Sequence, residues 1–174
     1  GMLTASRAAS RDLRSLPKLL VPRAYPGLSP NFGGMYRPVA QASYVIDQQM
    51  WGARRLPRRA ENLLFHLFVA HLVFRLARLF VPVPAAFWAA LLFALHPVNG
   101  EVIFTVAYRA TQMAAAVGLW AAVKWLESPK PPVWGVLAAY LVSVMLKEIA
   151  VPIPAIMGLG DLALGGWALV RERR

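Results

Sequence analysis

Long apolar runs are the feature that most limits what this 174-residue chain can fold into. Leu79 to Val98 contains no formal charge over 20 residues, which is the length of a helix that crosses a bilayer. The mean hydropathy is +0.49, and 58% of the residues are hydrophobic. In hydrocarbon only helices and closed barrels satisfy the backbone polar groups, and no strand-like alternation is present. The sequence therefore predicts an all-α, polytopic membrane helix bundle.

About five transmembrane helices are predicted from the apolar runs after Glu61. Arg109 lies within the third and Asp161 within the fifth, and prolines and glycines interrupt the fifth. An odd number of crossings would place the two ends of the chain on opposite sides of the membrane. The predicted helices are Glu61–Arg78, Leu79–Val98, Val102–Val123, Pro131–Leu146 and Val151–Val170.

The N-terminal third of the chain is basic and has no apolar run of crossing length. Residues 1–61 hold ten of the 19 Lys and Arg side chains and three of the eight acids. We predict an amphipathic, interfacial segment or outer loop over residues 1–60, a transmembrane bundle over 61–170 and a basic tail over 171–174. A short helix is expected to end at Gly52, because glycine commonly ends helices.

Composition excludes several classes of site. The chain has no cysteine, so it contains neither disulfides nor thiolate metal sites. Its three histidines have no ligand-rich surroundings, and we predict no metal and no cofactor. The net charge of +11 would suggest nucleic acid as a partner of a soluble domain. In a membrane protein it indicates anionic membrane lipid instead, and we predict no nucleic-acid partner.

Ionisable side chains at membrane depth are candidates for function, because each is costly unless it is paired or hydrated. Glu101 and Arg109 are eight residues apart, so on one continuous helix they would share a face. Lys147 and Glu148 end the fourth predicted helix on the same side of the membrane, with Arg37 nearby if its loop folds back. This set suits a phosphate on a lipid carrier. From spacing alone a structural ion pair is favoured, with Glu101 bound to Arg109 or Lys147 and buried between helices to fix their packing.

Asn62 and His66 are spaced i and i+4, so they lie on one face of the first predicted helix. Polar side chains in membrane helices commonly bond across to a neighbouring helix. We therefore expect both to make hydrogen bonds between helices.

Six short motifs occur in an order that resembles the N-terminal membrane region of the GT-C glycosyltransferases. The resemblance is greatest to the tetratricopeptide-repeat O-mannosyltransferase-like group and its bacterial relatives, and it covers residues 12–165. The motifs are YRPV with Tyr36 and Arg37, NLLFH with Asn62 and His66, LFALHPVNGEV with His96 and Glu101, YR with Arg109, LKE with Lys147 and Glu148, and finally Pro154 with Asp161.

The resemblance implies a polytopic enzyme that takes a sugar from a polyprenyl-phosphate carrier. It implies that Arg37, Arg109 and Lys147 bind the lipid phosphate. Supporting roles fall to Tyr36, Asn62, His66, His96, Glu101 and Glu148. It also implies an outward or lumenal position for the loop before the bundle, which indicates an integral protein of the bacterial inner membrane with its N-terminal segment outside.

The chain departs from the family where the chemistry would lie. The acidic pair that opens the family's first large loop, one member being the expected catalytic base, does not occur, and no apolar helix precedes Ser10. Three residues before the motif asparagine the family has a histidine, where this chain has Arg59. Two residues after the helix arginine the family has an acid, where this chain has Thr111. We therefore predict no catalytic residue in this chain.

Two functions follow. The first is a non-catalytic subunit or remnant, packed against other membrane protein subunits. The second is a fragment of an active glycosyltransferase that binds a polyprenyl-phosphate sugar.

Overall fold

The computed structural model describes residues 38–52, 54–105, 108–128 and 130–171. In these ranges all regular secondary structure is helical, and no strand is present. A 3₁₀ turn, Glu148–Ala150, precedes the last helix. The helices are α1 Pro38–Trp51, α2 Arg55–Ala77, α3 Val83–Leu95, α4 Val98–Phe104, α5 Arg109–Glu127, α6 Val133–Leu146 and α7 Ile153–Arg171.

Prolines and one glycine set several helix ends. Gly52 follows α1 with a φ of +57°, a left-handed conformation that suits glycine, as the sequence predicted. Pro82 is the N-cap of α3, and Pro97 is the N-cap of α4. Proline is tolerated at helix starts because its missing N–H would be unpaired there in any case.

The third predicted crossing is not one helix. Its first part is the seven-residue α4, which ends at Phe104. Thr105 then has the extended angles φ −104° and ψ 114°, and α5 begins at Arg109. The second predicted crossing is also shorter than expected, because turns and Pro82 delay the start of α3 until Val83.

Two described helical stretches are long and apolar enough to cross a membrane, Arg55–Ala77 and Glu148–Gly165. α3 and α4 together provide a third if they form one span bent by 61°. α6 is apolar but has 14 residues, a length of about 21 Å against a hydrocarbon core of about 30 Å. Two or three of the five predicted crossings are therefore supported by length and hydropathy.

α5 is the central helix of the bundle and packs against α2, α6 and α7. Its buried face is built largely of alanine, which allows neighbouring helices to approach closely. The outer surface carries large apolar side chains, with Trp134 82% and Leu162 75% exposed. Polar side chains are buried instead, Asn62 and Ser143 among them. An apolar exterior around buried polar groups is the arrangement expected in lipid.

Candidate functional site

Arg109 is the largest of the fully buried side chains in the described part of the bundle, at 2% exposure. It lies in the first turn of α5 and forms ion pairs with Asp47 of α1 and Glu61 of α2. Its Nε donates to Asn62 Oδ1 at 3.4 Å, and its Nη2 donates to the backbone oxygen of Arg58 at 3.5 Å. The guanidinium therefore joins α1, α2 and α5.

Two further side chains extend this network. Asn62 Nδ2 donates to the backbone oxygens of Ile103 and Thr105, both at 3.3 Å. Glu61 Oε1 accepts a hydrogen bond of 2.6 Å from Trp51 Nε1. Asn62 thereby donates to two backbone carbonyls at the carboxyl end of α4. We call Asp47, Glu61, Asn62 and Arg109 the Arg109 centre.

The charges of the Arg109 centre sum to −1, from one guanidinium and two carboxylates. Asp47 is 6% exposed and Arg109 is 2% exposed, so solvent screens their attraction little. Removing one member of a buried ion pair costs more than the pair contributes, because the partner stays buried and uncompensated. The arrangement fixes three helices in one geometry, and the cation is already neutralised from within the chain.

An apolar pocket of about 420 Å³ adjoins the Arg109 centre. Asp47, Glu61 and Arg109 provide its charged end. The remaining walls come from α1, α2 and α5, and they are Ser43, Ile46, Met50, Leu64, Phe65, Phe68 and Met113.

The predicted approach of Glu101 to Arg109 is wrong. Glu101 is exposed and accepts a hydrogen bond of 3.2 Å from the Tyr108 hydroxyl. This hydrogen bond and the negative charge of Glu101 raise the pKa of Tyr108. The shared helix face does not exist, because the backbone leaves the helix at Thr105, between the two residues. The ion pair with a buried arginine does form, but its acids come from α1 and α2.

Lys147 has a different partner from those of Arg109. Its Nζ donates to Thr111 Oγ1 at 2.7 Å. Thr111 is two residues after Arg109, which is a rotation of about 200° around α5. The described partners of the two cations therefore lie on different faces of this helix or on different helices, and none is shared. Glu148, in the 3₁₀ turn that follows, is exposed.

The predicted hydrogen bonds of Asn62 and His66 between helices are present. His66 Nε2 lies 3.0 Å from the backbone oxygen of Ala94, and its ring stacks on Phe93 with centroids 5.5 Å apart. His96 is exposed, and its Nδ1 accepts from the Val98 N–H at 3.3 Å.

The remaining predicted site residues, Tyr36 and Arg37, lie outside the residues that the structure describes. Asp47 and Glu61 are functional candidates that the sequence did not single out. Asp47 is the one charged residue of the helix Pro38–Trp51, and that isolation is the signal available for it. Glu61 directly precedes Asn62, which was expected to face a neighbouring helix.

These features describe a helical protein with a buried polar centre and with helices long and apolar enough to span a membrane. The chain is similar to protein O-mannosyl-transferase TMTC3 of Mus musculus, with 28% identity over 128 residues. It is also similar to the Homo sapiens protein of that name, with 25% identity over 128 residues. Each match covers 70% of this chain and 14% of the relative, so the chain spans a small part of either protein.

No family model matches the chain, and no solved structure matches it. The partial similarity supports a distant relation to membrane glycosyltransferases. Together with the helices that could span a bilayer, it indicates membrane localisation. The bacterial inner membrane and the outward N-terminal segment stay predictions.

Proposed function

We propose that this chain is a non-catalytic helical component of a GT-C-like membrane glycosyltransferase assembly, and that the Arg109 centre is its scaffold. The observation that carries this proposal is that Arg109 is already paired within the chain. Two carboxylates, one amide oxygen and one backbone oxygen surround the guanidinium. A phosphate would have to compete with these two carboxylates for the guanidinium.

The described acids fit this proposal, because each, Glu148 included, has a partner within the chain. Asp47 and Glu61 pair with Arg109, and Glu127 pairs with Arg75. Glu101 accepts from Tyr108, and Asp161 accepts from Trp125 Nε1 at 2.6 Å.

Turnover tests the proposal. The purified chain in detergent should transfer no sugar from a polyprenyl-phosphate sugar to a peptide acceptor, while retaining its helical circular dichroism. The measurement is radiolabelled sugar in the product. Transfer that disappears in Glu101→Gln would contradict a non-catalytic role, because Glu101 is an exposed acid that a substrate could reach.

A second function has its own observation. Within the described ranges the Lys147 ammonium forms no ion pair with a carboxylate, and its hydrogen bond goes to the Thr111 hydroxyl. Lys147 is half-buried and adjoins the candidate span Glu148–Gly165. A lysine with a neutral partner at the edge of a span can bind a lipid phosphate, because its charge is not yet neutralised. The chain would then supply part of a polyprenyl-phosphate site in a larger glycosyltransferase.

Binding of polyprenyl phosphate separates the two functions. If Lys147 holds the phosphate, Lys147→Met should raise the Kd by about tenfold, the loss of one charge-assisted hydrogen bond. The control is Lys124→Met, which removes the same charge near the last turn of α5. An unchanged Kd for Lys147→Met in a titration of the detergent-solubilised protein removes the second function.

A further inference from the structure

The start of α2 carries four arginines within six residues, Arg54, Arg55, Arg58 and Arg59. Arg58 Nη2 donates to the Gly52 carbonyl. In the part of the chain that the structure describes, Arg54, Arg55 and Arg59 form no ion pair with a carboxylate. We call these three residues the arginine patch.

Local electrostatics disfavour this patch in the isolated chain. The first turn of α2 contains no acid. The amino end of a helix carries a partial positive charge, so cations placed there are destabilising and anions are stabilising. The nearest acid in sequence, Glu61, already pairs with Arg109 and Trp51. An anion at the arginine patch would therefore be stabilised, and the described residues supply none.

The position of the patch identifies the class of anion. α2 is a candidate membrane span, and the patch lies at its first turn. Leu56, inside the arginine run, is 82% exposed, and Phe104 is 64% exposed. Arg59 Cζ lies 6.0 Å from the centroid of the Phe104 ring, within the range of a cation–π contact. Arginines flanked by exposed apolar side chains at the end of a span match a phospholipid, whose phosphate is charged and whose chains are apolar.

We propose that the arginine patch is a binding site for the phosphate of an anionic membrane phospholipid, with Leu56 and Phe104 against its acyl chains. Attraction to an anionic surface increases with each arginine close to it, and salt weakens it. This site is separate from the Arg109 centre and does not depend on the proposed function. Because arginine stays protonated, binding should not change between neutral and mildly acidic pH.

The test is a titration of the detergent-solubilised protein with phosphatidylglycerol or phosphatidylcholine, with bound lipid counted by native mass spectrometry. The wild type should prefer phosphatidylglycerol. The triple variant Arg54→Gln, Arg55→Gln and Arg59→Gln should raise the phosphatidylglycerol Kd by about a hundredfold, since each arginine contributes about a factor of five.

The matched control removes three cations from the other end of the bundle and consists of Arg78→Gln, Lys124→Gln and Lys130→Gln. It should leave the Kd for phosphatidylglycerol unchanged. A second variant with lysine at positions 54, 55 and 59 keeps every charge and should retain most of the affinity. Equal affinity of the wild type for the two lipids, an equal loss in the control, or a lysine variant as weak as the glutamine variant would each overturn the proposal.

Discussion

Arg109→Met should destabilise the fold by about 3–5 kcal/mol, the cost of leaving buried charges uncompensated. Methionine fills much of the volume of the arginine stem but leaves Asp47 and Glu61 facing each other without a cation. The measurement is the free energy of unfolding in mixed micelles of a mild and a denaturing detergent, with far-ultraviolet circular dichroism as the probe of helix content.

The control for this variant is Arg75→Met at the other end of α2. Arg75 pairs with Glu127, and both side chains are more than a quarter exposed. An exposed ion pair contributes about 0–1 kcal/mol, so this variant should change stability little. If the two variants lose the same stability, the buried ion pairs of Arg109 stabilise the fold no more than an exposed pair does. That result would contradict the scaffold role of the Arg109 centre.

Gly118→Ala should destabilise the packing of α5 against its neighbours by about 1–3 kcal/mol, the range for added volume in a packed core. A Cβ at Gly118 would collide with Ile153 Cδ1 and lie 2.9 Å from Ser143 Oγ. Ser143 cannot move freely, because it is fully buried and donates to the Ala114 carbonyl at 2.7 Å. Thermal unfolding of the two proteins side by side measures the effect.

Gly158→Ala is the matched control on α7, where a Cβ would meet nothing within 4 Å. In a helix interior alanine is favoured over glycine by up to about 1 kcal/mol, so this variant should be as stable as the wild type or more stable. A Gly118→Ala protein that is also stabilised would mean that α5, α6 and α7 are packed less closely than described.

The sequence predicted the parts of the fold that depend on local pattern. Apolar runs identified the helical bundle, and Gly52 correctly marked the end of α1. The i, i+4 spacing of Asn62 and His66 placed both on a face that contacts other helices. These features depend on periodicity and backbone preference, which a single sequence contains.

The break after Phe104 could not be predicted in the same way. No proline or glycine lies between Glu101 and Arg109 to indicate it. The carbonyls of Ile103 and Thr105 at the break accept hydrogen bonds from Asn62, which is more than 40 residues away in sequence. The partners of Arg109 were missed for the same reason, since Asp47 and Glu61 become neighbours only when α1 and α2 pack against α5.

The central claim is that the charges at positions 47, 61 and 109 form one structural set. The most direct measurement compares the free energy of unfolding of Arg109→Met with that of the uncharged triple variant Asp47→Asn, Glu61→Gln and Arg109→Met. Because the triple variant buries no uncompensated charge, it should recover most of the stability that the single variant loses. A triple variant no more stable than Arg109→Met would contradict the account.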